Sequence, residues 1–142
     1  MKRITALMLA MTTLSGAAWA DGQMLTVRLN GIEHDRGEMK VALFSDPKTF
    51  RKADQAFATQ ESKARAGTLS VVFENVPAGD YAIMAYHDED GNGEMNRRLG
   101  MFPTEGYGLS NNPNVMGPPA FEDSRFEVSS DQPTELDIDI RY

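Results

Sequence analysis

The stretch HDEDGNGEMN, from His87 to Asn96, combines oxygen-bearing side chains with glycines that allow a tight turn. Its potential ligands recur at a spacing suited to one cation: Asp88, Asp90, Asn92, the backbone carbonyl of Glu94, and Asn96. Gly93 lies where such a loop turns most sharply. Calcium takes six to eight oxygen ligands at about 2.3–2.6 Å, from carboxylates, amides and carbonyls. The spacing therefore predicts a calcium-binding loop over residues 88–96.

This loop departs from the EF-hand pattern, which needs a bidentate glutamate at its twelfth position and a helix on each side. Counting from Asp88, the twelfth position is Leu99, and the flanking residues show no helical pattern. The ligand shell must therefore be completed from elsewhere in the chain. The available carboxylates are Glu105, Glu122 and Asp123. The alternative is a solvated turn in which Asp88 and Asn92 bond their own backbone.

His87 lies close in sequence to three methionines, which raises a second metal class. These methionines are Met95, Met101 and Met116. Thioethers and imidazole suit copper(I) in an exported protein. The alternatives are that the methionines fill gaps under a loop, and that His87 is a hydrogen-bonded histidine at the edge of the core.

Residues suited to catalysis are few in this chain. His34 and His87 are its two histidines, and it has no cysteine. Glu105 paired with Glu122 or Asp123 supplies the two carboxylates that glycoside hydrolysis needs. A domain of this size leaves little room for a substrate cleft, however. We therefore expect a binding protein and not an enzyme, with a small carboxylate-dependent hydrolase as the alternative.

The first twenty residues have the features of a bacterial signal peptide. A basic start at Lys2 and Arg3 precedes an apolar run over residues 4–17. Ala18-Trp19-Ala20 then places small residues at the positions that signal peptidase reads, so cleavage is expected before Asp21. The alternative is an uncleaved anchor, but the apolar run is shorter than the roughly 20 residues that cross a bilayer. We expect a periplasmic or secreted protein with no integral membrane segment after cleavage.

Residues 21–142 have the length of a single domain and carry a strong negative charge. Without Lys2 and Arg3 the basic residues number 12 instead of 14, against 21 acidic residues, so the net charge is −9. Such a surface repels nucleic-acid phosphates and attracts cations. We therefore expect no nucleic-acid partner. An unknown protein, glycan or small ligand remains as the partner class.

Apolar residues alternate with polar ones, which predicts β-strands with one face toward a core. Six segments show this period of two: residues 25–29, 41–43, 69–73, 81–86, 126–128 and 136–140. Residues 57–63 form a weaker seventh candidate. The only predicted helical turn runs from Asp46 to Lys52, with Asp46 as its cap. Turn residues between the strands favour a single antiparallel Greek-key β-sandwich of about seven strands.

An outer-membrane β-barrel is the alternative fold, and it requires an outward-facing apolar band. The faces opposite the expected core carry charged residues instead, namely Arg28, Lys40, Asp137 and Asp139. The sandwich is therefore the preferred architecture.

Residues 88–119 are rich in glycine, asparagine and proline and have no clear period. Long ordered loops of this kind are often functional. We therefore place a ligand-recognition platform over residues 88–123, with Phe102 and Tyr107 as apolar contacts and Asn111 and Asn112 as polar ones. In the alternative interpretation, the aromatic rings pin the loop to the sandwich and the asparagines satisfy its backbone.

Three motifs together resemble a family of exported bacterial proteins known as domain of unknown function family 2141. They are VPAGDYAIMAYHDEDGNGEMN, GMFPTEGYGLSNN and GPPAFEDSRFEV. The opening LTVRLNGIEHDRGEMKVALF extends the likeness over essentially all of residues 21–142. The VPAGDY reversal also looks like the transthyretin-like and collagen-binding B-type sandwiches, which implies a related Greek-key fold.

The resemblance implies a fold and a loop but no activity. The family's loop is rich in Asp and Asn around the glycine, which fits Asp88, Asp90 and Asn92. Its last acidic position is often Asp, whereas this chain has Asn96. Any cation site here therefore has one negative charge fewer than that pattern provides.

Overall fold

The computed structural model describes residues 22–91, 97–98, 102–103, 105–114 and 117–142. The predicted signal peptide lies outside these residues. Within them, the chain forms ten strands: β1 (Gln23–Ile32), β2 (Glu38–Phe44), β3 (Ala58–Lys63), β4 (Gly67–Val76), β5 (Gly79–Asp88), β6 (Arg97–Arg98), β7 (Phe102–Pro103), β8 (Tyr107–Leu109), β9 (Phe126–Val128) and β10 (Thr134–Asp139). A 3₁₀ turn (Ala53–Gln55) and one short helix, α1 (Phe121–Ser124), complete the elements.

The strands form two main sheets. The first has the order β10-β1-β4, and the second has the order β3-β2-β5-β8. β9 pairs with β5 beyond the end of β8, and β6 and β7 pair only with each other. Because β1 lies beside β4 and β2 beside β5, the chain passes repeatedly between the sheets, as in a Greek key. The predicted all-β sandwich is confirmed, except that β1 and β10 run parallel.

The core lies between the two sheets and contains the alternating positions that the sequence pattern indicated. Its fully buried members include Leu25, Val27, Leu29, Met39, Val41, Leu43, Ile83 and Ile138. Partly buried Leu69, Phe126 and Leu136 pack against this cluster. Burial of apolar surface on this scale is the main source of folding free energy.

β5 is buried on both faces, whereas the alternating pattern predicted one buried face. Its second face joins a separate apolar cluster outside the second sheet, made of Ala42, Phe44, Phe50, Ala82, Met84, Tyr86, Leu109 and Phe121. The segment between β2 and β3 contributes Phe50, and α1 contributes Phe121. Phe50 lies edge-on to Phe44 and to Phe121, with ring centroids 5.4 and 5.9 Å apart. β5 is therefore a central strand with apolar cover on both faces.

All seven predicted strands are present, but the helical prediction was wrong. Asp46 does cap a turn, since its Oδ1 accepts a hydrogen bond from the Lys48 N–H at 2.9 Å. The chain then forms isolated turns and not a helix. The α-helix of the described residues lies at Phe121–Ser124. Four residues are too few to produce a helical period in the sequence.

Part of the predicted irregular segment is also regular. β8 lies within residues 88–119 and pairs with β5 through Met84–Leu109 and Tyr86–Tyr107. The short β6–β7 pair falls in the same segment. A three-residue strand next to glycines gives no readable alternation, which explains why the pattern missed it. Among the described residues, no helix is long and apolar enough to cross a bilayer.

An ion pair on the solvent side of the first sheet ties β10 to β1. Arg28 donates from Nε and Nη2 to the two carboxylate oxygens of Asp137, at 2.8 and 3.0 Å. Hydrogen bonds from Arg28 and from Asn30 lower the pKa of Asp137 to about 2. The carboxylate is therefore more stable in the folded chain than in the unfolded chain, where its pKa is about 3.9.

We expect this ion pair to give the protein an acid-sensitive component of stability. Because the folded pKa of Asp137 is depressed, its contribution is complete above about pH 5 and is lost as the pH falls toward about 2. Urea midpoints of wild type and Asp137→Asn should differ at neutral pH and converge in acid. A difference that does not change with pH would contradict this assignment.

Candidate cation site

The last residues of β5 and the turn that follows them carry the potential ligands of the site. β5 is paired with β2 up to its end, through Met39–His87 and Glu38–Asp88. His87 and Asp88 are both buried, at 0% and 1% exposure. Since neighbouring residues of a strand point to opposite faces, His87 faces the sandwich interior and Asp88 faces the side that carries Tyr86.

Three carboxylates converge beyond the end of β5. Asp88, Asp90 and Glu105 each offer an oxygen, and these oxygens all lie within 4.8 Å of one another. Glu105 is 4% exposed, whereas Asp90 is exposed. This geometry joins two of the predicted loop ligands to one of the three predicted completing carboxylates.

Backbone pairing brings Glu105 to the loop. The His87 N–H donates to the Gly106 carbonyl at 2.7 Å, just before β8 pairs with β5. Oε2 of Glu105 also accepts a hydrogen bond from the Glu89 N–H at 2.6 Å. Glu105, sixteen positions after Glu89, is thereby fixed beside the end of β5.

The negative charge of this cluster acts on a neighbouring hydroxyl. The pKa of Tyr86 is raised, chiefly because the side chain is buried, and the charges of Asp88 and Glu105 raise it further. The ammonium group of Lys40 acts in the opposite direction. Asp88 and Glu105 thus lie close enough to Tyr86 to act on its hydroxyl.

Several predicted residues lie outside the described part of the chain. These are Asn92, Glu94 and Asn96 of the calcium loop, the three methionines Met95, Met101 and Met116, and Leu99. For Phe102 the structure describes the backbone in β7 but not the side chain. Their proposed roles stay predictions.

Glu122 and Asp123 do not join the carboxylate cluster. Glu122 forms an ion pair with Arg125 at 3.1 Å on α1. Asp123 Oδ2 accepts a hydrogen bond from the Ala120 N–H at 2.9 Å, which caps the same helix. Both side chains are therefore engaged at α1, and Glu105 is grouped with Asp88 and Asp90.

The side chains of the predicted ligand platform make contacts inside the protein. Asn111 donates to the Arg125 carbonyl at 2.6 Å. Oδ1 of Asn112 accepts from the Asp139 N–H at 2.8 Å. Both asparagines have positive φ angles, 68° and 45°, which asparagine tolerates better than most residues. Tyr107 is half-buried and exchanges two backbone hydrogen bonds with Arg141.

A second group of polar side chains lies on the other side of the β5 end, and only one of its members was singled out from the sequence. His87 forms hydrogen bonds through Nδ1 to the Tyr142 hydroxyl at 2.7 Å and through Nε2 to the Arg36 carbonyl at 2.5 Å. His34 Nε2 lies 2.5 Å from Glu89 Oε1. The rings of His34 and His87 are 4.5 Å apart between centroids. His87 is thus a buried, hydrogen-bonded histidine, one of the alternatives that the sequence left open.

Sequence reasoning missed His34 because its partners are distant in the chain. His34 lies in the connection between β1 and β2, fifty-five residues before Glu89. The register of β2 against β5 places this connection beside the end of β5. A correct pairing of these two strands would have identified the contact.

Comparison with known proteins identifies one family. A family model described as "Uncharacterized protein conserved in bacteria (DUF2141)" matches residues 27–137. No curated protein matches the chain. No solved structure matches it either.

Proposed function

The chain belongs to the bacterial DUF2141 family, and on that premise we propose that it is an exported β-sandwich binding module stabilised by calcium. The ion is held at the end of β5 by Asp88, Asp90 and Glu105, and the loop over residues 88–96 supplies further oxygen ligands. Bound calcium stabilises the module, whose partner is a protein, glycan or small ligand.

The observation that carries this proposal is the position of Glu105. The loop spacing alone left the ligand shell incomplete, and a carboxylate from elsewhere was required. Oxygens of Asp88, Asp90 and Glu105 lie within 4.8 Å of one another. A loop spacing typical of calcium and a third carboxylate from another part of the chain support the same site independently.

Electrostatics favours a divalent cation at this position. Three carboxylates so close together repel one another, and two of them are buried. A dication offsets this repulsion, and an all-oxygen shell suits calcium or magnesium better than softer metals. Calcium accepts irregular geometry, whereas magnesium demands a nearly ideal octahedron. An oxygen shell drawn from a strand end and from a distant carboxylate is irregular, and it therefore favours calcium.

Export is consistent with a weak calcium site. Extracellular modules bind calcium with dissociation constants of about 10⁻⁴–10⁻³ M. The signal-peptide features and the net charge of −9 after cleavage support a periplasmic or secreted protein. Binding accounts for the described carboxylates without a catalytic role, since the expected hydrolase partners of Glu105 are engaged at α1.

We expect calcium to raise the melting temperature of the chelator-treated protein. At ten times the dissociation constant, binding stabilises the folded state by about 1.4 kcal/mol. For a domain of this length, the shift is several degrees. Asp88→Asn/Asp90→Asn should abolish it while keeping side chains of the same shape. Magnesium should produce a smaller shift.

A matched control removes two charges outside the cluster. Glu122→Gln/Asp123→Asn loses contacts of α1 but leaves the three converging carboxylates in place. Its own melting temperature should fall, yet calcium should raise that temperature as much as in wild type. If millimolar calcium leaves the wild-type melting curve unchanged, or if the control loses the response, the proposed calcium site is wrong.

A further inference from the structure

The polar group on the inner side of the β5 end has the composition of a transition-metal site. His34, His87 and Glu89 each offer one ligand atom, and these three atoms lie within 4.8 Å of one another. Two imidazoles and one carboxylate are the ligands that zinc uses in three-ligand sites, with water in the fourth position. This group shares no side chain with the carboxylate cluster.

Hydrogen bonds to both histidines indicate which ring nitrogen faces a donor and which faces an acceptor. Nδ1 of His34 accepts a hydrogen bond from the Arg36 N–H at 3.2 Å, so its hydrogen is on Nε2. Nε2 of His87 must donate, because its partner is the Arg36 carbonyl. The Tyr142 hydroxyl accepts from the Glu33 N–H at 3.2 Å and lies 2.7 Å from His87 Nδ1, to which it can donate its own hydrogen. An imidazole binds a metal through a ring nitrogen that carries no hydrogen, while the other nitrogen donates.

His87 is oriented as a metal-binding histidine is. A ligating imidazole usually donates its second N–H to a carbonyl or carboxylate, which fixes the ring and increases its basicity. Here the Arg36 carbonyl accepts from Nε2, so a metal binds at Nδ1, where it displaces the hydrogen bond to the Tyr142 hydroxyl. Because His87 is fully buried, the surrounding core fixes this orientation before any metal arrives.

His34 and Glu89 provide the side of the group that is open to solvent. Their side chains are 25% and 26% exposed. The hydrogen that His34 Nε2 directs at Glu89 lies on the short contact between the two side chains. When a metal binds between His34 Nε2 and Glu89, the hydrogen of the His34 ring is on Nδ1 instead of Nε2. The Arg36 N–H in the exposed connection then bonds to water.

From this arrangement we infer that His34, His87 and Glu89 bind a divalent transition-metal ion of the zinc class. The ligands are one nitrogen of each imidazole and the carboxylate of Glu89, and water fills the remaining position. Imidazole nitrogen selects zinc over calcium, which prefers oxygen. The site is separate from the proposed calcium site, so the protein can hold two ions of different classes on the two sides of one strand end.

The test is a calorimetric titration of the chelator-treated protein with Zn²⁺ in the presence of excess Ca²⁺. Cobalt(II) substitution gives a second readout, because tetrahedral cobalt with nitrogen ligands absorbs in the visible range. We expect one zinc per chain in the wild type. His34→Gln and Glu89→Gln should each weaken zinc binding by more than tenfold to about a hundredfold, which is the cost of losing a residue that only hydrogen-bonds to a ligand. Both positions are partly exposed, so these variants should fold.

Two controls distinguish this site from its neighbours. Glu33→Gln removes one negative charge from the same connection without touching a ligand, and it should bind zinc as wild type does. Asp88→Asn/Asp90→Asn should also keep zinc binding while losing the calcium response. The inference is overturned if wild type binds no zinc, or if His34→Gln binds it normally. It is also overturned if zinc binding is lost in Asp88→Asn/Asp90→Asn, because the ion then occupies the carboxylate cluster.

Discussion

Ile138→Ala should lower the free energy of unfolding by about 2–5 kcal/mol, the range for truncating a buried isoleucine. Ile138 is fully buried in β10 and lies opposite Leu29 in the parallel pairing with β1. The removed methyl groups leave a cavity among side chains from both sheets, and close-packed neighbours relax into it only partly. Urea unfolding of the wild type and the variant measures the loss. The comparison assumes that the unfolding free energy of both proteins has the same dependence on urea concentration.

Val72→Ala is the matched control for this truncation. Val72 lies on β4, in the same sheet, and is 38% exposed. Its truncation opens no cavity in the core, so we expect a change of at most about 0.5–1 kcal/mol. If Ile138→Ala costs less than about 0.5 kcal/mol, the register of β10 against β1 is wrong.

The sequence predicted the sandwich because its strands are half-buried. Leu25, Val27 and Leu29 alternate with polar residues, and this period is specific to a strand with one face in the core. The parallel direction of β10 was not predictable in this way. Alternation reports which face of a strand is buried, but it is the same whether the neighbouring strand runs parallel or antiparallel.

In β5 the period of two does not predict burial, because both faces of the strand are buried. Ala82, Met84 and Tyr86 are as buried as Tyr81 and Ile83, so the strand reads as a continuous apolar run. The second cover comes from Phe50 and Phe121, which lie in a turn segment and in a four-residue helix. Neither segment has a period long enough to predict its docking on the sheet.

The carboxylate cluster was predictable in part. The rest depends on pairing between strands that are distant in the sequence, which local patterns do not reveal. The spacing of Asp88 and Asp90 identified a loop, and the need for more ligands identified three candidate carboxylates. Nothing local distinguished Glu105 from Glu122 or Asp123. The distinction comes from β8, which pairs with β5 and brings Glu105 to the loop. His34 escaped prediction for the same reason, since β2–β5 pairing brings its connection to His87.

Tyr142 contacts the segments that carry the groups on both sides of the end of β5. The packing of the Tyr142 ring against Gly106 leaves no space for a side chain there, since an added Cβ would meet ring carbons closer than 3 Å. Tyr142 in turn holds His87 through its hydroxyl. Gly106 and Glu105 are adjacent, so the same backbone segment positions a carboxylate on one side and an aromatic ring on the other. The two proposed sites therefore depend on a common scaffold.

The second large effect is expected at Gly37, which lies in the connection between β1 and β2. Its φ angle is +72°, in the left-handed region that glycine adopts without strain. A Cβ at this position would overlap the carbonyl oxygen of Asp88. Gly37→Ala thus combines backbone strain with a collision against backbone atoms, which side-chain rotation cannot relieve. We expect it to destabilise the fold by about 2–6 kcal/mol, since each effect costs about 1–3 kcal/mol.

Gly67→Ala separates these two contributions. Gly67 also has a positive φ angle, +98°, but an added Cβ there has no neighbour within 4 Å. Its substitution should therefore cost only the conformational part, about 1 kcal/mol. Because Gly37→Ala displaces the Asp88 backbone, it should also weaken the calcium response, whereas Gly67→Ala should leave that response unchanged. Equal losses of stability in the two variants would show that the β1–β2 connection does not contact the end of β5. That result would contradict the contact on which both proposed sites depend.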